Sequence, residues 1–122
     1  MDAKKILIVD DETQLVDLMA ARLQMHNYEV SVAYDGEGAL KSVHGDPPDL
    51  IILDLKLPKI DGYMVCSLLK NDTKYKSIPI ILFTARDKEE DIELGKKVGA
   101  DAYLTKPCDL QTLLDEMLTL LK

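Results

Sequence analysis

The chain has 122 residues, 47% of them apolar, which suits one domain around one core. Its 22 acidic and 15 basic residues leave a net charge of −7. That acid excess argues against the domain holding nucleic acid by itself, since phosphate contacts need a basic face. No stretch approaches the ~20 apolar residues of a membrane span. Ile6-Leu7-Ile8-Val9 is too short for the apolar centre of a signal peptide, so a cytoplasmic location is expected. The two cysteines, Cys66 and Cys108, have no metal-ligand spacing, and Cys66 reads as a buried thiol.

Taken in order, Ile6 to Val9 form a short apolar run that ends in Asp10, Asp11 and Glu12. A helix follows, with Leu15, Leu18, Met19, Arg22 and Leu23 at helical spacing and Asn27 as a left-handed stop. Tyr28 to Val32 alternates, with Tyr28, Val30 and Val32 on one side, which marks a half-exposed strand at a sheet edge. Asp35 caps a second helix with Ala39, Leu40 and Val43 inward, and Gly45-Asp46-Pro47-Pro48 ends it.

Leu50-Ile51-Ile52-Leu53 has no polar residue alternating with it and reads as a strand buried on both faces, running directly into Asp54. Pro58 stops regular structure, and Asp61 caps a helix from about Asp61 to Asn71 with Val65, Leu68 and Leu69 inward. Lys74 to Ser77 is a polar link. Pro79 then opens a third apolar strand, Ile80 to Phe83, ending in Thr84-Ala85. Asp87 and Glu90 have the spacing of a capping box for a helix to Val98, whose stripe of Ile92, Gly95 and Val98 is thin. Ala102-Tyr103-Leu104 is a short last strand before Thr105-Lys106-Pro107. The last helix, Asp109 to Lys122, carries Leu110, Leu113, Leu114, Met117, Leu118 and Leu121 on one face. Asp46 and Asp101 read as cap or turn acids, and His26 and His44 as surface residues without partners.

Five strands alternating with five helices imply a doubly wound α/β fold with a parallel sheet and helices on both faces. The alternating second strand belongs outside and the three apolar strands inside. Strand order 2-1-3-4-5 meets both demands and puts the topological switch point between strands one and three. Asp10, Asp11 and Asp54 flank that crevice, and Thr84 and Lys106 reach the same rim.

Three carboxylates so close repel one another unless a cation joins them. Mg²⁺ binds about six oxygens and keeps several waters, so Asp11, Asp54 and one backbone carbonyl leave about three positions for water or a phosphoryl oxygen. Lys106 adds positive charge and Thr84 a hydroxyl. Such a rim stabilises a transferring phosphoryl group, and a carboxylate that receives it becomes an aspartyl phosphate. Taken singly, each residue has an ordinary reading. Asp10-Asp11-Glu12 favours a helix amino terminus, Asp54 precedes a turn, Thr84 caps a helix and Lys106 is a solvated lysine. Their convergence on one rim is what those readings leave unexplained.

From Lys5 to Leu121 the chain resembles the receiver domain of two-component response regulators, including single-domain chemotaxis and cell-cycle regulators. The matching pieces are Ile8-Val9-Asp10-Asp11-Glu12, Asp49 to Gly62, Phe83-Thr84-Ala85, Gly99 to Tyr103, and Lys106-Pro107. The resemblance implies a flavodoxin-like fold, one receiver domain over residues 1–122, and signalling rather than enzymatic turnover of a substrate. It implies Asp54 as phosphoacceptor and Asp11 as a direct Mg²⁺ ligand, with Asp10 acting through water and the Lys56 backbone carbonyl completing the protein ligands. Mn²⁺ can take the place of Mg²⁺. Thr84, the Ala85 amide and Lys106 are implied to hold phosphoryl oxygens, and Tyr103 to be the aromatic switch. The implied donor is a phosphohistidine on a sensor histidine kinase or a histidine phosphotransfer protein. The implied output is a surface of the helix from Asp87, the last strand and the last helix, read by another protein or domain. A cis bond between Lys106 and Pro107 is also expected from the resemblance.

The match has departures. Cys108 stands where the family commonly has Phe, and Lys56 puts a cation two residues past the acceptor. The last helix has Lys122 as its only base, and Ala102 replaces the second acid of a usual Asp-Asp pair. Both argue against dimerisation through paired charges. An Asp-nucleophile phosphatase would need D-x-D-x-T, whereas Leu55-Lys56-Leu57 follows Asp54. A flavodoxin needs amides that hold a phosphate after strand one, where Asp10-Asp11-Glu12 repel it. A binding module of receiver shape without phosphorylation is the remaining alternative, and the presence of all five rim residues argues against it.

Overall fold

A computed structural model describes residues 3–122. Its elements in order are β1 (Lys5–Val9), α1 (Thr13–Met25), β2 (Glu29–Ala33), α2 (Gly36–Gly45), β3 (Leu50–Leu53), α3 (Gly62–Lys70), β4 (Ile80–Thr84), α4 (Glu89–Lys97), β5 (Ala102–Thr105) and α5 (Leu110–Leu120). The five strands are parallel in order β2-β1-β3-β4-β5, a flavodoxin-like sheet. The register aligns Val9 with Leu53 and Thr84 with Thr105, so the carboxyl ends of β1, β3, β4 and β5 form one rim.

The all-apolar β1, β3 and β4 are central because a parallel sheet covered by helices buries both faces. One face packs Leu7, Val9, Leu53 and Leu82 against α2 and α3. The other packs Ile6, Ile8, Ile52 and Ile81 against Val16 and Leu23 of α1 and Leu113 and Met117 of α5. The edge placement of β2 follows its pattern, with Val30 and Val32 half-buried and Glu29 and Ser31 exposed. Asn27, φ 68°, makes the left-handed turn after α1. Asp35 and Asp61 are N-caps, accepting from the amides of Gly38 at 2.6 Å and Met64 at 2.9 Å. Asp109 caps α5 likewise through Thr112 at 2.7 Å. Among the described residues, no helix is long and apolar enough to cross a membrane.

Several expectations need correction. Leu68 is exposed, and Cys66 takes the inward place in α3. Positions 62, 65, 66 and 69 share the buried stripe, and Leu68 falls on its flank. Leu118 of α5 and Leu18 of α1 are also exposed, since each lies beyond the width of sheet its helix covers. The capping box at Asp87 and Glu90 does not form. Lys88 is the N-cap of α4, without a side-chain cap bond, and three acids in the first turn, Glu89, Glu90 and Asp91, face the positive helix end instead. Tyr75, inside the expected polar link, is buried, and the ring of His44 stacks on it at 5.2 Å. Asp101 is more than a turn acid. It accepts from the Ile80 amide at 2.8 Å and pairs with Lys70 at 2.7 Å, while Lys70 also donates to the carbonyls of Lys76 and Ile78.

Candidate functional site

α1 carries the chain from β1 out to β2 on one side and α3 carries it from β3 out to β4 on the other, which opens a crevice between β1 and β3 at the carboxyl end of the sheet. β1 delivers Asp10 into it, 4% exposed, and leaves Asp11 in solvent. β3 delivers Asp54, 7% exposed. Oxygens of Asp10, Asp11 and Asp54 all lie within 4.8 Å of one another, all hard donors suited to Mg²⁺ or Mn²⁺. β5 brings Lys106 across the rim, 96 residues after Asp10. Its ammonium donates to Asp10 Oδ2 at 2.6 Å and to Asp54 Oδ2 at 3.3 Å. It also stands 5.4 Å from the centre of the Phe83 ring. Burial works against the charge of Lys106, but its bond to Asp10 and the charges of Asp54 and Asp10 outweigh burial, so its pKa is raised. The remaining carboxylate oxygens are held by backbone. The Glu12 amide donates to Asp10 Oδ1 at 3.0 Å and the Lys56 amide to Asp54 Oδ1 at 3.3 Å.

Gly62 sets the backbone behind Asp54. A Cβ there would lie 2.3 Å from the Asp54 carbonyl oxygen, so the start of α3 and the end of β3 touch without room for a side chain. Its amide donates to the Leu55 carbonyl at 2.9 Å. Thr84, 1% exposed, ends β4 beside the acids and accepts from the Arg86 amide at 3.4 Å. Ala85 is exposed at the rim, and Lys56 is exposed beyond Asp54. The Lys106–Pro107 bond is cis.

Tyr103 is half-buried on β5, and its hydroxyl donates to the Arg86 carbonyl at 2.9 Å. Gly95 of α4 makes room for its ring, since a Cβ there would lie 2.9 Å from ring carbon Cδ2. The Tyr103 phenol is pushed up to about 12, first by burial and then by the neighbouring Tyr63 and Asp91. Tyr63 was not singled out from the sequence. It follows Gly62 on α3, and its hydroxyl donates to the Asp91 carbonyl at 3.0 Å. The sole signal for it was an aromatic residue directly after the Asp-Gly pair.

Cys108 lines a groove of about 480 Å³ between α1 and α5, with Leu15, Leu18, Met19 and Leu110, adjoining Lys106. A larger hollow of about 1250 Å³ lies at the other end of the sheet, near Tyr28, Val30 and Leu121, and holds none of the rim acids.

The fold and this rim define a class, and sequence comparison assigns it. Residues 6–118 match the family described as response regulator receiver domain, and the chain belongs to that family. It is 48% identical over 104 residues to the alkaline phosphatase synthesis transcriptional regulatory protein PhoP of Bacillus subtilis (strain 168). That match covers 85% of this chain but only 42% of the length of that relative. Among solved structures, it is similar to the signal receiver domain of a signal transduction histidine kinase from Syntrophus aciditrophicus, at TM-score 0.91 and 33% identity, covering 98% of this chain and 90% of that one. The Mn²⁺-bound form of response regulator Rcp1 is similar at TM-score 0.81 and 29% identity, covering 95% and 90%.

Proposed function

We propose that this chain is a single phosphoryl-accepting receiver domain over residues 1–122, working in the cytoplasm in two-component signalling. Asp54 accepts the phosphoryl group. One of its carboxylate oxygens attacks phosphorus, the phosphorus–nitrogen bond of a donor phosphohistidine breaks, and the imidazole leaves with the electron pair. The donor is a sensor histidine kinase or a histidine phosphotransfer protein. The observation that carries the reading is the set of three carboxylates within 4.8 Å, two of them bonded to one ammonium.

Asp10, Asp11, Asp54 and the Lys56 carbonyl are the residues that would hold Mg²⁺, and the Mn²⁺-bound state of a similar response regulator supports such an ion. When bound, the ion supplies positive charge that offsets the crowding of acids and phosphoryl oxygens. Lys106 has three N–H donors and uses two on carboxylates, leaving capacity for a phosphoryl oxygen. Thr84 and the Ala85 amide stand ready on the β4 side. A Thr84 turned to the phosphoryl group gives up the Arg86 amide and opens space for the Tyr103 ring. The face of α4, β5 and α5 then changes shape for an output protein or domain. The chemistry acts on the chain's own Asp54, not on a released substrate.

The test is incubation with acetyl phosphate and Mg²⁺ followed by intact-mass spectrometry. One phosphoryl group is expected on the native chain, none after chelation of the metal, and none on Asp54→Asn. Labelling of Asp54→Asn at the native rate would refute the assignment. A folded native chain that never gains mass would favour a binding module of receiver shape.

A further inference from the structure

Among the described residues, α4 is the most weakly packed helix, since Gly95 is its only buried position. Two phenols hold it from outside. Tyr103, on β5, donates to the Arg86 carbonyl in the loop before the helix, at 2.9 Å. Tyr63, on α3, donates to the Asp91 carbonyl in the first turn at 3.0 Å, and its oxygen lies 3.4 Å from Asp91 Oδ1. These grips are five residues apart and come from different elements.

Tyr63 has a second property that Tyr103 lacks. It directly follows Gly62, whose Cα abuts the Asp54 carbonyl and whose amide is bonded to Leu55. A shift of the Asp54 backbone is therefore passed to α3 at Tyr63 with no compressible side chain between. In this arrangement the Lys106 ammonium donates to Asp54 Oδ2 and Thr84 accepts from the Arg86 amide, alongside the two grips.

We propose that Tyr63 is a positioning residue for phosphorylation at Asp54: its hydroxyl anchors the first turn of α4 in the unphosphorylated arrangement and couples α4 to the acceptor through Gly62, a route additional to Thr84 and Tyr103. The proposal rests on the reading of Asp54 as acceptor. A contact made in one state only biases the equilibrium toward that state, and its removal favours the other. The route is contiguous in space, and energetic coupling along it is what the experiment measures.

The variants are Tyr63→Phe, Tyr103→Phe and the double variant, each keeping its ring. The measurements are affinity for beryllofluoride with Mg²⁺, amide hydrogen exchange across α4, and the urea midpoint. For Tyr63→Phe, loss of one neutral hydrogen bond should tighten beryllofluoride binding by roughly 2- to 10-fold. Exchange at residues 91–97 should quicken, and the urea midpoint should fall by no more than the loss of that one bond accounts for. A purely structural tyrosine would lower the midpoint without tightening the mimic. Tyr63 neighbours Tyr103, so the two effects need not multiply, but Tyr63→Phe should still tighten the mimic in the Tyr103→Phe background. Unchanged or weaker mimic affinity in Tyr63→Phe overturns the proposal while the native chain and its Asp54→Asn control still uphold the acceptor. Loss of all the gain in the Tyr103→Phe background overturns the claim of a route additional to Tyr103. A native chain that does not bind beryllofluoride removes both the proposal and the reading beneath it.

Discussion

Replacing Lys106 by Met tests whether the rim is an electrostatic unit. Methionine keeps most of the side-chain volume and removes the cation. Asp10 and Asp54, whose side chains are 6% and 8% exposed, would then face each other without it. Breaking a fully buried pair costs ~3–5 kcal/mol. The Lys106 side chain is 14% exposed and Asp11 lies in solvent, so water offsets part of this, and about 2–4 kcal/mol is expected. For 122 residues, 1 kcal/mol corresponds to roughly 4 °C, which gives a fall of roughly 8–16 °C in Tm without metal. Mg²⁺ should restore part of it. An ion at ten times its Kd adds ~1.4 kcal/mol to the native state, and the variant, stripped of the competing ammonium, should bind it more tightly than the native chain. The assay is urea unfolding of both chains at pH 7 over a Mg²⁺ series. A metal-free difference below ~0.5 kcal/mol, the range of an ordinary surface substitution, would refute the reasoning. So would an equal response of both chains to Mg²⁺.

Gly62→Ala should destabilise by about 1–3 kcal/mol and weaken beryllofluoride binding, because its Cβ meets backbone that cannot yield. Gly45→Ala, with nothing within 4 Å of its Cβ, should be neutral or stabilise by up to ~1 kcal/mol, and urea midpoints of the pair give the contrast. Native protein at pH 8 should react with one equivalent of a thiol reagent, at half-buried Cys108, more slowly than a free thiol because burial and Asp109 raise its pKa. Cys66 is fully buried, its thiol pushed up to about 11 by burial, and should react only in denaturant. A raised folded pKa contributes stability that is whole below the free value and lost as pH climbs through the folded one. Unfolding free energy should therefore decline between about pH 9 and 12 as Cys66 and then Tyr103 titrate, measurable by urea melts across that range.

The sequence by itself determined the element order, the strand order and which strand ends share one rim. Unbroken apolar runs at Ile6, Leu50 and Ile80 can be satisfied only between two layers of helices, and the alternating run at Tyr28 only at an edge. Each of those central strands ends in a residue with no role in a core, so the positions of Asp10, Asp54 and Thr84 followed from periodicity and topology alone. The tertiary structure decided what depends on partners distant in sequence. Nothing in the neighbourhood of Leu68 or Leu118 says how wide a strip of sheet their helices cover, and both proved exposed. The cap of α4 moved off Asp87, and Asp101 became the partner of Lys70 and of the Ile80 amide. Tyr63 reaches Asp91 across 28 residues, and Lys106 reaches Asp10 across 96. Periodicity reports which face of an element is apolar, because that is a property of the local chain. It carries no record of which polar atom stands opposite a given side chain, because that is settled only when the elements pack.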